Sequence, residues 1–163
     1  MSRSNESPGA RLNRWWSRLS TLPAGRWVFS RLLGLMVPYT NSIRGTVVRF
    51  EPGHAQVLLR DRRRVRNHLR SIHAIALANV GELATGLSII SGLGPDLRAI
   101  LTGLDLRYRK KARGALLAEA RCSIPKVVSE IDHAVEATIR DSDGDIVATV
   151  TAHWRLGRLS ERR

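Results

Sequence analysis

Between His73 and Asp96 the chain carries a single charge, Glu82. Around it Ile72, Ile75, Ala76, Leu83, Ala84, Leu87 and Ile90 recur so densely that no continuously polar face remains, and the stretch 67–92 is expected to form a helix buried on most sides. An ionised carboxylate is costly there. Glu82 must either join a hydrogen-bonded or ion-paired network or titrate above the ordinary glutamate value of about 4.3. The first outcome makes it a structural partner, for instance of an arginine. The second makes it a candidate catalytic group. Gly92, Gly94 and Pro95 supply the stop signal for the helix.

On either side of this helix the pattern changes period. Residues 11–19 and 23–37 read as two short helices broken at Leu22 and Pro23. The second has Trp27, Val28, Leu32, Leu35 and Met36 on its apolar surface, interrupted by Arg26 and Arg31. A bilayer span needs about 20 mostly apolar residues, so this helix is expected to lie over one end of the domain. An interfacial membrane helix is the alternative, which Trp15 and Trp16 also suit. Residues 1–10 are polar, contain Pro8 and Gly9, and are expected to be disordered; no apolar segment of the secretory type follows them.

From residue 42 the sequence alternates. Strands are expected at 43–50 and 55–60 around Pro52 and Gly53, then at 100–109, 115–124, 134–140 and 146–156, with Ser142, Asp143 and Gly144 forming a hairpin turn. Two strands, a long buried helix and four strands imply an α+β architecture in which an antiparallel sheet wraps a central helix. The layout is then a disordered start (1–10), an N-terminal helical segment (11–41), one α+β domain (42–156) and a basic tail (157–163).

With 27 Lys and Arg against 14 Asp and Glu, the formal charge is +13, which draws phosphate-bearing ligands, acidic proteins and anionic membranes alike. The single cysteine, Cys122, forms no internal disulfide and is read as packing in an apolar strand. No His, Cys and Asp spacing suits a metal, and no glycine-rich phosphate loop follows a strand. Nucleic acid is the weakest partner, because no aromatic-rich strand offers a stacking surface.

Asn67, His73 and Glu82, spaced by six and nine, are followed by Leu83, Ala84, Thr85 and Gly86. This segment resembles the active-site segment of hotdog-fold acyl-CoA thioesterases of the phenylacetyl-CoA type, and the strands after it agree in order and spacing over residues 42–156. One departure stands out: the family's His-Gly-Gly is His73, Ala74 and Ile75 here. The resemblance implies a hotdog fold, a cytoplasmic thioester hydrolase and a homodimer or tetramer. Coenzyme A enters as part of the substrate, without a separate cofactor.

The site follows from these parts. A nine-residue helical step sets His73 and Glu82 on opposite sides of the helix, roughly 13 Å apart along it. A two-fold dimer would instead bring one helix start toward the partner's Glu82, as the resemblance implies. The free N–H groups near Ala74, with Asn67 or His73 beside them, would polarise the thioester carbonyl. Glu82 would act as general base or as nucleophile, with Thr85 holding the carboxylate or the water; Thr102 is a weaker candidate. Gly81, Thr85 and Gly86 would let a slim ligand or partner come close. His73 as a helix cap and Asn67 as a brace of its turn are the structural alternatives.

Arg64 and Arg66, together with Arg107, Arg109, Lys110, Lys111 and Arg113, would meet the phosphates of coenzyme A or the acidic surface of an acyl carrier protein. Alternation places Arg107, Arg109 and Lys111 in one row on a strand. The alternative function is a hotdog protein that binds acyl-CoA or acyl carrier protein without turnover.

Overall fold

The computed structural model describes residues 7–159. Helices α1 (Pro8–Leu19) and α2 (Gly25–Met36) lead through a short 3-10 turn (Thr40–Ile43) to strands β1 (Thr46–Glu51) and β2 (His54–Leu59). A second 3-10 turn (Arg63–Val65) precedes the central helix α3 (Ala74–Ile90). Strands β3 (Leu97–Tyr108), β4 (Leu116–Arg121), β5 (Ile131–Arg140) and β6 (Ile146–Arg158) follow. All six strands join one antiparallel sheet in the order β1-β2-β4-β5-β6-β3. The sheet wraps α3, which touches β2, β4, β5, β6 and β3, so the expected hotdog architecture is present.

The helix is buried for the reason its sequence gives. Ala76, Leu77, Val80, Ala84 and Leu87 are lost from solvent against a sheet face built by Val57, Leu59, Leu116, Val135, Ile139 and Val150. Burying each large aliphatic side chain contributes about 1.5–3 kcal/mol before entropy is counted. The two turns that fix the sheet are local. Gly53, at φ +74°, passes so close to the Cys122 carbonyl that a Cβ would stand 2.3 Å from it. In the β5–β6 turn Asp141 Oδ1 accepts the N–H groups of Asp143 and Asp145, with Gly144 left-handed.

The N-terminal helices belong to the same body. Trp16 meets Phe29 edge-on at 5.1 Å and Phe50 at 6.0 Å, which joins α1, α2 and β1 in one aromatic cluster. Ser30 Oγ accepts the Val47 N–H at 2.9 Å, and Asn13 Nδ2 donates to the Ser91 carbonyl at the far end of α3. These contacts match the expectation of helices laid over one end of the domain. No helix among the described residues is long and apolar enough to cross a membrane.

Several boundaries differ from the sequence reading. Helix α1 starts at Pro8 because Ser7 caps it, its Oγ accepting the Ala10 N–H, so residues 8–10 are helical; residues 1–6 lie outside the described residues. Strand β6 runs on to Arg158 because β3 starts at Leu97 and pairs with it there, which takes the first two residues of the expected tail; residues 160–163 lie outside the described residues. Gly81 faces the sheet rather than a ligand: a Cβ would lie 2.4 Å from Val150 Cγ2. Gly81→Ala is therefore expected to cost about 1–3 kcal/mol of stability, read as a lowered urea midpoint. An unchanged midpoint would show that helix and sheet have room to part.

Candidate active site along the central helix

The start of α3 is held from three sides. The His73 N–H donates to the Val65 carbonyl at 2.7 Å, and the Ile72 N–H donates to the Ala112 carbonyl at 2.8 Å. Asn67 Oδ1 accepts from the N–H groups of Leu69 and Ser71 and from Ser71 Oγ, at 2.9–3.2 Å. Asn67 thus braces the turn before the helix, the structural role its residue type allows. His73 is the cap: its Nδ1 accepts the Ile75 N–H at 3.1 Å, which leaves the ring proton on Nε2 in the neutral form. The Ala76 and Leu77 N–H groups bind the His73 carbonyl. The Ala74 N–H has no partner among the described residues, so one donor is left at this helix end.

Glu82 sits two and a half turns on. Burial pushes its carboxyl above the ordinary value, and among the described residues the carboxylate has neither an ion-pair nor a hydrogen-bond partner. The arginine clamp that would make it structural is not there. Instead Glu82 stands in the wall between two cavities. One, of about 350 Å³, is bounded by Tyr39, Ile75, Asn79, Leu101 and Leu104. The other, of about 240 Å³, lies under the N-terminal helices among Leu12, Leu33, Met36, Leu87 and Trp154. A third, of about 200 Å³, shares Ile75 and Asn79 with the first and carries Arg64, Arg66 and His73.

This succession relates His73 to Glu82 differently from the helical-wheel expectation. They do not touch, yet they open on adjoining cavities because His73 is a cap outside the helical spiral and Ile75 and Asn79 join the two spaces. Thr85 has a different role from the one expected. It is fully buried, and its hydroxyl donates to the Glu82 backbone carbonyl at 2.8 Å and not to the carboxylate. Gly86 lines the apolar cavity beside Glu82, and its missing side chain makes room for the Trp154 ring, from which a Cβ would stand 3.2 Å. Thr102 is exposed at a bulge of β3 and donates to the His153 carbonyl.

The basic residues divide. Arg64 and Arg66 line the cavity at the helix start, although Arg66 also pairs with Asp61 at 2.6 Å. The Ile72 bond to Ala112 and the Gly114 N–H bond to Asp61 Oδ2 tie the loop that carries Lys111 and Arg113 to the segment before α3, although neither side chain lines the cavity of Arg64 and Arg66. Lys110 is committed elsewhere: its bonds to Asp141 and Asp145, at 2.8 and 2.7 Å, hold the ammonium well above the usual lysine range. The expected row of Arg107, Arg109 and Lys111 does not form either. Strand β3 ends at Tyr108, and the N–H groups of Arg109 and Lys110 both turn to the Val147 carbonyl, which breaks the alternation.

Burial also pushes the Cys122 thiol up, consistent with packing. No group of three or more metal-ligating side chains occurs among the described residues. Asn79 was missed by the sequence reading, although residues 75, 79, 82 and 86 follow one helical stripe that could have revealed it. Tyr39 and Trp154 gave no such signal, since only the path of the chain between α2 and the first 3-10 turn and the pairing of β6 bring them to α3.

Residues 25–156 match the family model described as Domain of unknown function (DUF4442). A search of curated proteins returns no match. Among solved structures, the structural-genomics protein APC5556 is 28% identical, with 92% of this chain and 100% of that one covered and a TM-score of 0.78. A Pseudomonas aeruginosa protein, PA5026, described as a probable thioesterase, is 21% identical over 85% and 97% of the two chains, with a TM-score of 0.73. The smu.793 protein of Streptococcus mutans, solved with acetyl-CoA bound, is 21% identical over 72% and 91%, with a TM-score of 0.61. The fold is thus that of thioesterase-family hotdog proteins, and the chain belongs to the DUF4442 family.

Proposed function

We propose that this protein is an acyl-CoA thioesterase in which Glu82 drives hydrolysis. The observation that carries the reading is the Glu82 carboxylate, desolvated, without a counter-ion among the described residues and facing two adjoining cavities. A structural carboxylate in so apolar a helix would be expected to find a cation. The likeness in fold to a probable thioesterase and to a protein holding acetyl-CoA supports the same chemistry.

In this reading the acyl chain lies in the apolar cavity under α1 and α2, and the thioester lies at Glu82. As general base, Glu82 takes a proton from water while the water oxygen attacks the carbonyl carbon. The oxyanion forms near a backbone donor, and its collapse expels the thiolate, which recovers the proton from Glu82. As nucleophile, the carboxylate itself attacks the carbonyl carbon and expels the thiolate, forming an anhydride; water opens the anhydride to the free acid, restores Glu82 and supplies the proton that the thiolate takes up. A raised pKa strengthens the carboxylate for either route, as a base and as a nucleophile.

The donor is the N–H of Ala74 in a neighbouring copy. Strand β3 is an edge of the sheet, twelve residues long, with Ile100 and Leu101 exposed, and pairing two such edges would set two α3 helices side by side. Arg64 and Arg66, helped by Lys111 and Arg113 on the adjoining loop, would receive the phosphates of coenzyme A. A second reading, binding of acyl-CoA or acyl carrier protein without turnover, is favoured by one feature. His73 uses the Ile75 N–H, and Ala74 and Ile75 stand where the resembling family has two glycines, so few donors remain.

Release of coenzyme A from a panel of acyl-CoAs separates the two. Turnover by the wild type and a loss of about 100- to 10,000-fold in kcat/KM for Glu82→Gln are expected; undiminished turnover in the variant overturns the assignment. The same variant tests the electrostatics. Because the folded state holds the Glu82 proton more tightly than the unfolded chain, this group's contribution is full below the unfolded value of about 4.3 and is lost as pH rises through its folded value. Glu82→Gln should therefore raise the urea midpoint at neutral pH, with the gain vanishing in acid; identical pH profiles would show a solvated carboxylate. Met36→Trp, which narrows the apolar cavity beside Glu82, should shift acyl preference toward shorter chains, and an unchanged preference would place the chain elsewhere.

A further inference from the structure

Four polar side chains lie within α3: Asn79, Glu82, Thr85 and Ser88. Thr85 and Ser88 are committed to helix carbonyls. Asn79, like Glu82, has no hydrogen-bond partner among the described residues, although it is only 9% exposed and its Oδ1 is completely buried. It also lines both the cavity of Arg64, Arg66 and His73 and the cavity of Glu82. A buried amide left unpaired at the junction of two cavities marks a place where a ligand supplies the missing bond.

The kind of ligand follows from the group. A primary amide offers one acceptor and two donors, so another amide complements it whichever way its ends are turned. The order of features along the helix adds a second constraint. Arginines come first, then Asn79, then Glu82, then the apolar cavity. An acyl-CoA has the same order: phosphates, the amides of the pantetheine arm, thioester, acyl chain. Asn79 and Glu82 are three residues apart, about 4.5 Å along the axis, and two methylenes separate the sulfur of a CoA ester from its nearest amide nitrogen.

We propose that Asn79 is a specificity-determining residue that hydrogen-bonds the pantetheine amide next to the thioester. This rests on Glu82 being the reacting group. It gives a partner to an amide that has none among the described residues, and it makes the site selective for thioesters on a pantetheine arm over thioesters of simple thiols.

The test compares octanoyl-N-acetylcysteamine, which keeps that amide, with S-ethyl octanethioate, which lacks it; neither carries a phosphate. The wild type is expected to favour the first, and Asn79→Leu to lower the ratio of the two kcat/KM values about tenfold. Asn79→Ser, which retains one hydroxyl, should fall between and serves should the leucine variant not fold. A ratio reports only on active molecules, so partial misfolding does not change it. If the protein binds without hydrolysing, the ratio of Kd values for the matching S-octyl thioethers is read by calorimetry in the same way. A ratio that the Asn79 variants leave unchanged overturns this inference and spares the thioesterase reading. A wild type that turns over acyl-CoA but shows no preference between the two compounds also overturns this inference alone, whereas one that neither hydrolyses nor binds any acyl-CoA overturns both.

Discussion

A carboxylate kept in an apolar helix without a counter-ion is the condition on which the rest of this molecule turns. Burying Glu82 beneath the N-terminal helices raises its pKa, and nothing among the described residues offsets that cost. The surrounding structure has to be rigid enough to impose it. The sheet does this on one side of α3, where Gly81 lies against Val150 too tightly for a methyl group to enter. The cap at His73 and the braced turn at Asn67 do it at the helix start.

On the other side the helix is deliberately left uncovered by strands. Helices α1 and α2 come across instead, fastened by the cluster of Trp16, Phe29 and Phe50 and by the Asn13 and Ser30 hydrogen bonds. A roof of two helices touches α3 less evenly than a pleated sheet does, and the space beneath it is where Glu82, Gly86 and Trp154 meet. The tryptophans that suited either a membrane surface or a packing role are thus divided. Trp16 is part of the roof, whereas Trp27 stays 57% exposed beside Arg31.

Much of this was legible before any coordinates. Alternation gave six strands because the sheet has one face on α3 and one toward water, and the density of apolar residues gave the central helix. Glu82 stood out as the only charge in that helix. Ends of elements were less legible, since Ser7 and the pairing of Leu97 with Arg158 settle them through particular hydrogen bonds. The basic cluster was legible as composition but not as geometry. Lys110 looks like its neighbours in sequence, yet the β5–β6 turn delivers Asp141 and Asp145 to it, while Arg64 and Arg66 face a cavity.

The sequence by itself determined the wrapped helix, the strand count and the presence of one desolvated acid, because periodicity and burial are local properties of the chain. Only the tertiary structure decided which polar groups are used up and which remain. Thr85 and His73 turn out to be bonded to the helix backbone, Asn67 to its own turn, and Asn79 to nothing among the described residues. The physical reason is that a hydrogen-bond partner or a cavity wall can come from any part of the chain. Strand register and the seating of α1 and α2 on α3 select it, and neither is written in the spacing of residues along α3.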